Sequence, residues 1–237
     1  MRDRLSSGRP DRPLLLTVSR LAPEKNVGFL ADVLKAFPDA ALAIVGDGPA
    51  RGDLERRFHG LDARFIGYLK GQQLAAAYAS ADAFVYASET ETMGNVVLEA
   101  MACGCAVVAP RAGGIPNLVR HGATGFLYRP GDQNDAAHWT STVLTDKIRR
   151  LQIGAAARQA IEERNWEQSI GRVRQAYLQA IDQPQPLATR STWHDQLAQL
   201  TTKTLVSLFR STADRKRDVS LVPAPAVPQE AFAAALS

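Results

Sequence analysis

Between Leu14 and Tyr128, short apolar runs alternate with amphipathic stretches, and this alternation leaves few architectures open. Leu14–Val18, Ala41–Val45, Arg64–Ile66, Ala83–Tyr86, Ala106–Ala109 and Gly125–Tyr128 have the length and composition of strands. Most are apolar throughout, as strands are when both faces of a parallel sheet are covered. Helical stretches near 27–36, 50–58, 71–80, 95–103 and 114–120 lie between them. Strand and helix in repetition, joined by short links, predict an α/β domain with a Rossmann-like parallel sheet and flanking helices. Ala137, Val143, Ile148, Leu151, Ala155 and Ile161 recur at helical spacing, so 132–163 is expected to be helical, followed by a closing helix over 166–182.

The domain therefore spans 14–182, and the composition changes at both of its ends. Gln183-Pro184-Gln185-Pro186 reads as a linker, 191–211 as an amphipathic helix, and Pro223, Pro225 and Pro228 mark a disordered end. The net charge of +4 also belongs to the ends. Residues 1–13 carry four Arg against two Asp, and 183–237 carry six basic residues against four acids, while 14–182 holds 18 of each sign. A nucleic-acid binder concentrates its charge on the folded body, so that class is disfavoured. Cys103 and Cys105, separated by one residue, would form a strained bridge and are expected as free thiols in a reducing compartment. No apolar run approaches a membrane span, which points to the cytoplasm or to a membrane surface reached from it.

Polar signals gather where an open α/β sheet binds ligands, beyond the carboxyl ends of its strands. Ser19-Arg20 follows the first strand, Gly46-Asp47-Gly48-Pro49 the second, and Gly67-Tyr68 the third. Glu89 to Asn95 follows the fourth strand, and Arg111-Ala112-Gly113-Gly114 the fifth. Any one of these loops could be turn chemistry alone. Together, on one edge, they argue for a cleft. Thr92-Met93-Gly94-Asn95 opens a helix whose Gly94, Asn95 and Val96 amides would face an anion, aligned with the helix dipole. Glu99 lies four residues after Asn95, and its neighbours Val96, Val97, Leu98, Ala100, Met101 and Ala102 predict a helix buried nearly all round. A carboxylate inside such a helix needs a partner or a ligand. Arg20 and Lys25 are placed to balance a diphosphate, with ion pairs to Glu24 or Asp47 as the alternative.

These segments resemble a known family. Ser19-Arg20-Leu21-Ala22-Pro23-Glu24-Lys25-Asn26, Val45-Gly46-Asp47-Gly48-Pro49 and Ser88 to Gly104 look like retaining glycosyltransferases of the GT-B fold, family 4. Glu91 and Glu99 match that family's E-x7-E motif. Ala109-Pro110-Arg111-Ala112-Gly113-Gly114-Ile115-Pro116 and Gly122-Ala123-Thr124-Gly125-Phe126-Leu127 are similar too, and the match runs in order from Leu14 to Ala180. The E-T-x-G-x-V-V-L-E-A-M form looks most like members that transfer sulfoquinovosyl, glucosyl or mannosyl groups.

The resemblance implies a donor-binding domain for a UDP- or GDP-sugar. Arg20 and Lys25 would hold the diphosphate, sharing it with the Gly94, Asn95 and Val96 amides. Glu91 would orient the transferred sugar, and Glu99 would bind the ribose. Ser19, Gly46, Thr92 and Met93 would line the donor cleft, with the Tyr68 and Leu69 stretch against the nucleobase. Neither a metal nor another cofactor is implied. The chain has no Asp-x-Asp, and His59, His121, His138 and His194 are scattered.

The resemblance covers only the second of the two domains of a GT-B enzyme. Residues 1–13 look like the end of the interdomain linker, and the acceptor domain is missing. Three cases follow: a fragment, one half of a split enzyme whose acceptor domain is a separate chain, or a relic. An isolated donor half cannot place an acceptor or exclude water, so activity of the isolated chain is not expected. A non-catalytic nucleotide-sugar-binding or regulatory module would use the same cleft. A dehydrogenase is disfavoured because no G-x-G-x-x-G follows the first strand. In the tail, Trp193, Leu197, Leu200, Leu208 and the basic residues up to Arg217 suit either packing on the domain or peripheral membrane contact through 191–217.

Overall fold

The computed structural model describes residues 1–163 and 166–182. Six strands form one parallel sheet in the order β3-β2-β1-β4-β5-β6: β1 Leu14–Val18, β2 Ala41–Val45, β3 Ala63–Gly67, β4 Ala83–Val85, β5 Val107–Pro110 and β6 Phe126–Tyr128. The helices are α1 Arg2–Leu5, α2 Phe29–Lys35, α3 Arg51–Arg57, α4 Gly71–Ser80, α5 Asn95–Ala102, α6 Gln133–Thr145, α7 Lys147–Glu162 and α8 Trp166–Asp182. Met1–Arg172 forms the α/β unit. Of the second unit, from Val173 onward, only the end of α8 is described. The amphipathic and membrane-contact expectations for 191–217 lie outside the described residues. Within them, no helix is long and apolar enough to cross a membrane.

The unbroken apolar runs are explained by two cores, one on each face of the sheet. Leu15, Leu42, Ile44, Val85, Val108 and Phe126 point to the face covered by α2, α3 and α6. Their chain neighbours Leu14, Leu16, Ala41, Ala43, Phe84 and Val107 point to the face covered by α4 and α5. Successive side chains of a strand alternate between faces, so a doubly covered strand needs an apolar residue at every position. Each fully buried Leu on β1 contributes about 1.5–3 kcal/mol relative to exposure.

Two expectations are corrected. The helix expected over 114–120 is only a 3-10 turn at Ile115–Asn117. The helical region 132–163 breaks at Asp146, which ends α6 and caps α7 by accepting a hydrogen bond from the Arg149 amide at 2.9 Å. Ile148 and Leu151, two of the residues that recur at helical spacing, are exposed, and Ile153 and Ala157 are buried instead.

The first thirteen residues are pinned to this domain. Leu5 is fully buried against the α4 side of the sheet. The Arg2 guanidinium donates to the Ser80 carbonyl at 2.6 Å and to Asp82 Oδ2 at 2.7 Å. Asp82, just before β4, also accepts from the Leu14 amide at 2.8 Å and pairs with Arg150 of α7 at 3.2 Å. One carboxylate thus ties the N-terminal helix, β1 and α7 to the sheet. Asp82→Ala should destabilise the chain by about 2–4 kcal/mol, because two guanidinium groups and an amide lose their acceptor together. Urea denaturation of the variant and the parent chain measures it.

Candidate functional site

The chain leaves β1 toward α2 on one face and β4 toward α5 on the other. These strands are neighbours, so their connections part and open a crevice at the carboxyl ends, the topological switch point of the sheet. A 3-10 turn, Pro23–Lys25, stands on the β1 side. The β4–α5 loop stands opposite. Ser88 Oγ and Thr90 Oγ1 approach the Glu24 carbonyl at 3.4 Å, and Lys25 Nζ lies 2.9 Å from Glu91 Oε2.

Glu91 is the hub of this arrangement. Its Oε2 also accepts from the Tyr86 hydroxyl at 2.6 Å, its Oε1 accepts from the Gly94 amide at 3.1 Å, and its carbonyl accepts from the Gly114 amide at 2.6 Å. The Tyr86 hydrogen bond, with Lys25 and the Gly94 amide, holds its carboxyl at about 2, against an ordinary 4.5. Burial and Glu91 together push the Tyr86 phenol up, so it remains a donor. The ion pair of Lys25 is therefore with Glu91, not with the Glu24 or Asp47 weighed from the sequence. Asp47 instead accepts from the Gly48 amide at 2.8 Å and pairs with Arg51 at 3.0 Å.

The three expected anion donors at the start of α5 are reduced to two. Gly94 is the N-cap, in the left-handed region at φ 66°, and its amide already serves Glu91. The Asn95 and Val96 amides have no partner among the described residues. Thr92, Met93 and Asn95 are exposed around them, and Arg20 is exposed across the crevice without an ion pair among the described residues. Ser19 and Gly46 are set by backbone contact. A Cβ on Gly46 (φ 127°) would lie 1.9 Å from the Ser19 carbonyl oxygen, so only glycine lets the two loops meet. On the far side Gly114 is held the same way, because a Cβ there would lie 2.1 Å from the Thr92 carbonyl oxygen.

Tyr68 is 68% exposed beside Lys70, Gln72 and Gln73, lining an open cleft. Leu69 is buried in the core, so its side chain is not available to a ligand. Glu99 is exposed, which corrects the expectation of a helix buried nearly all round. Leu98 is half-buried and Ala102 exposed, and only Val97, Ala100 and Met101 of α5 face the sheet. Glu99 still has a partner, the Tyr78 hydroxyl at 2.9 Å. It lines a cleft of about 310 Å³ between α4 and α5 with Leu74, Tyr78 and Cys103. Cys103 and Cys105 are both free thiols.

The sequence reading missed Tyr78 and Tyr86, which sit among apolar neighbours and pass for core. Their signal was the hydroxyl, since a buried tyrosine must find an acceptor. Among the described residues, no group of three or more His, Cys, Asp or Glu side chains is arranged to hold a metal.

Residues 2–160 match the family Glycosyl transferases group 1. The chain belongs to this family. Its group 1 relatives include sulfoquinovosyl transferase SQD2 of Arabidopsis thaliana, 46% identical over 177 residues, which are 73% of this chain and 35% of SQD2. A GDP-mannose-dependent alpha-mannosyltransferase of Mycolicibacterium smegmatis is 46% identical over 158 residues, 66% of this chain and 41% of the relative. Among solved structures, Anabaena HepE in complex with UDP-glucose superposes with TM-score 0.66 at 28% identity, over 76% of this chain and 51% of HepE. The chain thus spans about a third to a half of the length of these group 1 relatives. The parallel sheet with flanking helices is that of the GT-B glycosyltransferases, as the resemblance implied.

The Glu91 network has a testable consequence for stability. Its carboxyl binds protons less readily folded than unfolded, so its contribution is complete above about pH 4.5 and is lost as the pH falls toward 2. With the side chain 15% exposed, the amount at neutral pH is about 2–3 kcal/mol. Urea denaturation between about pH 6 and about pH 2.5 should show this acid sensitivity in the parent chain and its reduction in Glu91→Gln. Equal slopes in both would remove Glu91 as its source.

Proposed function

We propose that this chain is the donor-binding domain of a retaining, family 4 glycosyltransferase that takes a nucleotide diphosphate sugar without a metal ion. One observation carries the reading. The Lys25 ammonium and the Arg20 guanidinium on the β1–α2 connection, and the free Asn95 and Val96 amides at the start of α5, flank the crevice. Aligned amides at a helix start, with a guanidinium and an ammonium nearby, supply what a diphosphate needs. The names of its relatives support the ligand class: HepE was solved with UDP-glucose, and the mycobacterial mannosyltransferase is GDP-mannose-dependent.

On this reading the catalytic contribution is electrostatic. Arg20, Lys25 and the α5 amides stabilise the diphosphate as it leaves, and the acceptor oxygen bonds to the same face of the sugar carbon, which retains configuration. Glu91, beside Lys25 and the helix start, faces the sugar, and Glu99, one helical turn past Asn95, faces the ribose. Tyr68 offers an exposed ring for the base. The acceptor is placed by a second domain, in the same polypeptide or in a separate chain, and hexosyl transfer requires both. A regulatory module that binds a nucleotide sugar without transferring it would keep the same cleft, and restored transfer on adding an acceptor domain separates the two.

Calorimetry with UDP and GDP, with and without EDTA, tests the binding step. Binding should be unaffected by the chelator, and Lys25→Ala should weaken it by about 1.5–3 kcal/mol, the scale of a hydrogen bond to a charged group. Loss of binding on chelation, or an unchanged affinity in the variant, would overturn the assignment.

A further inference from the structure

We propose that Tyr78 is a positioning residue, whose buried hydroxyl fixes the Glu99 carboxylate so that one oxygen stays free for a vicinal diol in the cleft between α4 and α5. The inference rests on the reading of Glu99 as the ribose-facing acid. It adds a residue that lies outside every motif matched above.

Tyr78 is 1% exposed, near the end of α4, and its ring packs against Phe84 of β4 with centroids 5.6 Å apart. A ring held this way by the core cannot move toward a ligand. Its hydroxyl donates outward, at 2.9 Å, to Glu99 Oε2 on α5. Burial, reinforced by the Glu99 carboxylate, raises the phenol's pKa, so the proton stays on tyrosine and the group acts only as a donor toward the acid. The acid itself is exposed, with no other hydrogen bond or ion pair among the described residues.

A glutamate on a helix surface otherwise samples several rotamers, and ordering such a side chain costs conformational entropy. The tyrosine meets part of that cost in advance and takes up one carboxylate oxygen, leaving Oε1 free. Both acids of the E-x7-E pair are treated alike. Tyr86 holds Glu91 at 2.6 Å, and its ring stacks on Phe84 with centroids 5.9 Å apart. The two carboxylates are thus both held by tyrosines whose rings contact Phe84 of β4. Leu74, Ala75 and Ala102 line the cleft around Glu99 and hold no competing charge.

The test is nucleotide binding by the 237-residue chain, measured by calorimetry with UDP, GDP and their 2′,3′-dideoxy analogues. Tyr78→Phe removes one oxygen and keeps the packing. It should weaken the better-bound ribonucleotide about fivefold to tenfold and leave the dideoxy analogue unchanged, the scale of one net hydrogen bond. In a Glu99→Gln background the same change should have little further effect. A purely structural role would instead weaken both nucleotides equally in either background. That result overturns the proposal, as does an unchanged ribonucleotide affinity in Tyr78→Phe. If the parent chain binds both nucleotide forms equally, the ribose-facing role of Glu99 fails and Tyr78 falls with it. If the parent discriminates and the variant still does, only Tyr78 is dismissed.

Discussion

The ion pair between Lys25 and Glu91 bridges the one place where the sheet connections diverge. A doubly wound sheet opens a crevice at its switch point because successive crossovers go to opposite faces, and nothing in the strand ladder closes it. Here it is spanned by a 2.9 Å ion pair that is largely shielded from solvent. Three further elements are secured to the same glutamate. Tyr86 anchors it to the end of β4, the Gly94 amide to the start of α5, and the Gly114 amide to the loop after β5. A charge so placed is stabilised by its partners but would be costly if any were lost, which ties the geometry of the loops together.

Rigidity of the remaining loops comes from steric contact rather than charge. The Gly46 and Gly114 backbones touch carbonyl oxygens of neighbouring loops at distances no other residue would permit. The polar edge of the sheet is therefore a set of interlocked turns. Tyr128 extends the order inward, since its hydroxyl donates to the Tyr86 carbonyl at 2.7 Å and its ring stacks on Phe29 of α2.

Strands were legible because double coverage imposes an apolar residue at each position, and β1 and β2 match their expected bounds residue for residue. The edge strand β3, half-buried and carrying exposed Arg64, starts one residue early and ends one late because its pattern is weaker. The position of the site was legible from where the polar loops fall. Pairings were not. Lys25 chose Glu91, 66 residues away, over the nearer Glu24, a choice made by the sheet order, which no local pattern encodes. The burial of Glu99 was overestimated because small residues such as Ala102 read as apolar whether or not they face the core. The break at Asp146 was hidden for a different reason. Helical spacing continues across it, and only the capping by the aspartate reveals that one helix ends and another begins.

The same network constrains how an anion can enter. Glu91 already takes the Lys25 ammonium and the Gly94 amide, two of the groups that a diphosphate would use. In the ligand-free chain Lys25 is thus already paired, and Arg20 and two helix amides are the crevice's uncommitted donors among the described residues. On the proposed reading, an arriving phosphate would meet those first, and would gain Lys25 only by sharing it with Glu91 or drawing it away. Tyr86 bears on which of these happens, because its hydrogen bond keeps the carboxylate in place when the lysine moves. The acid would then face whatever is attached to the phosphate, with one charge newly exposed and hydroxyl groups as its natural partners. On the proposed reading, diphosphate binding and sugar recognition would be two sides of one exchange at a single glutamate.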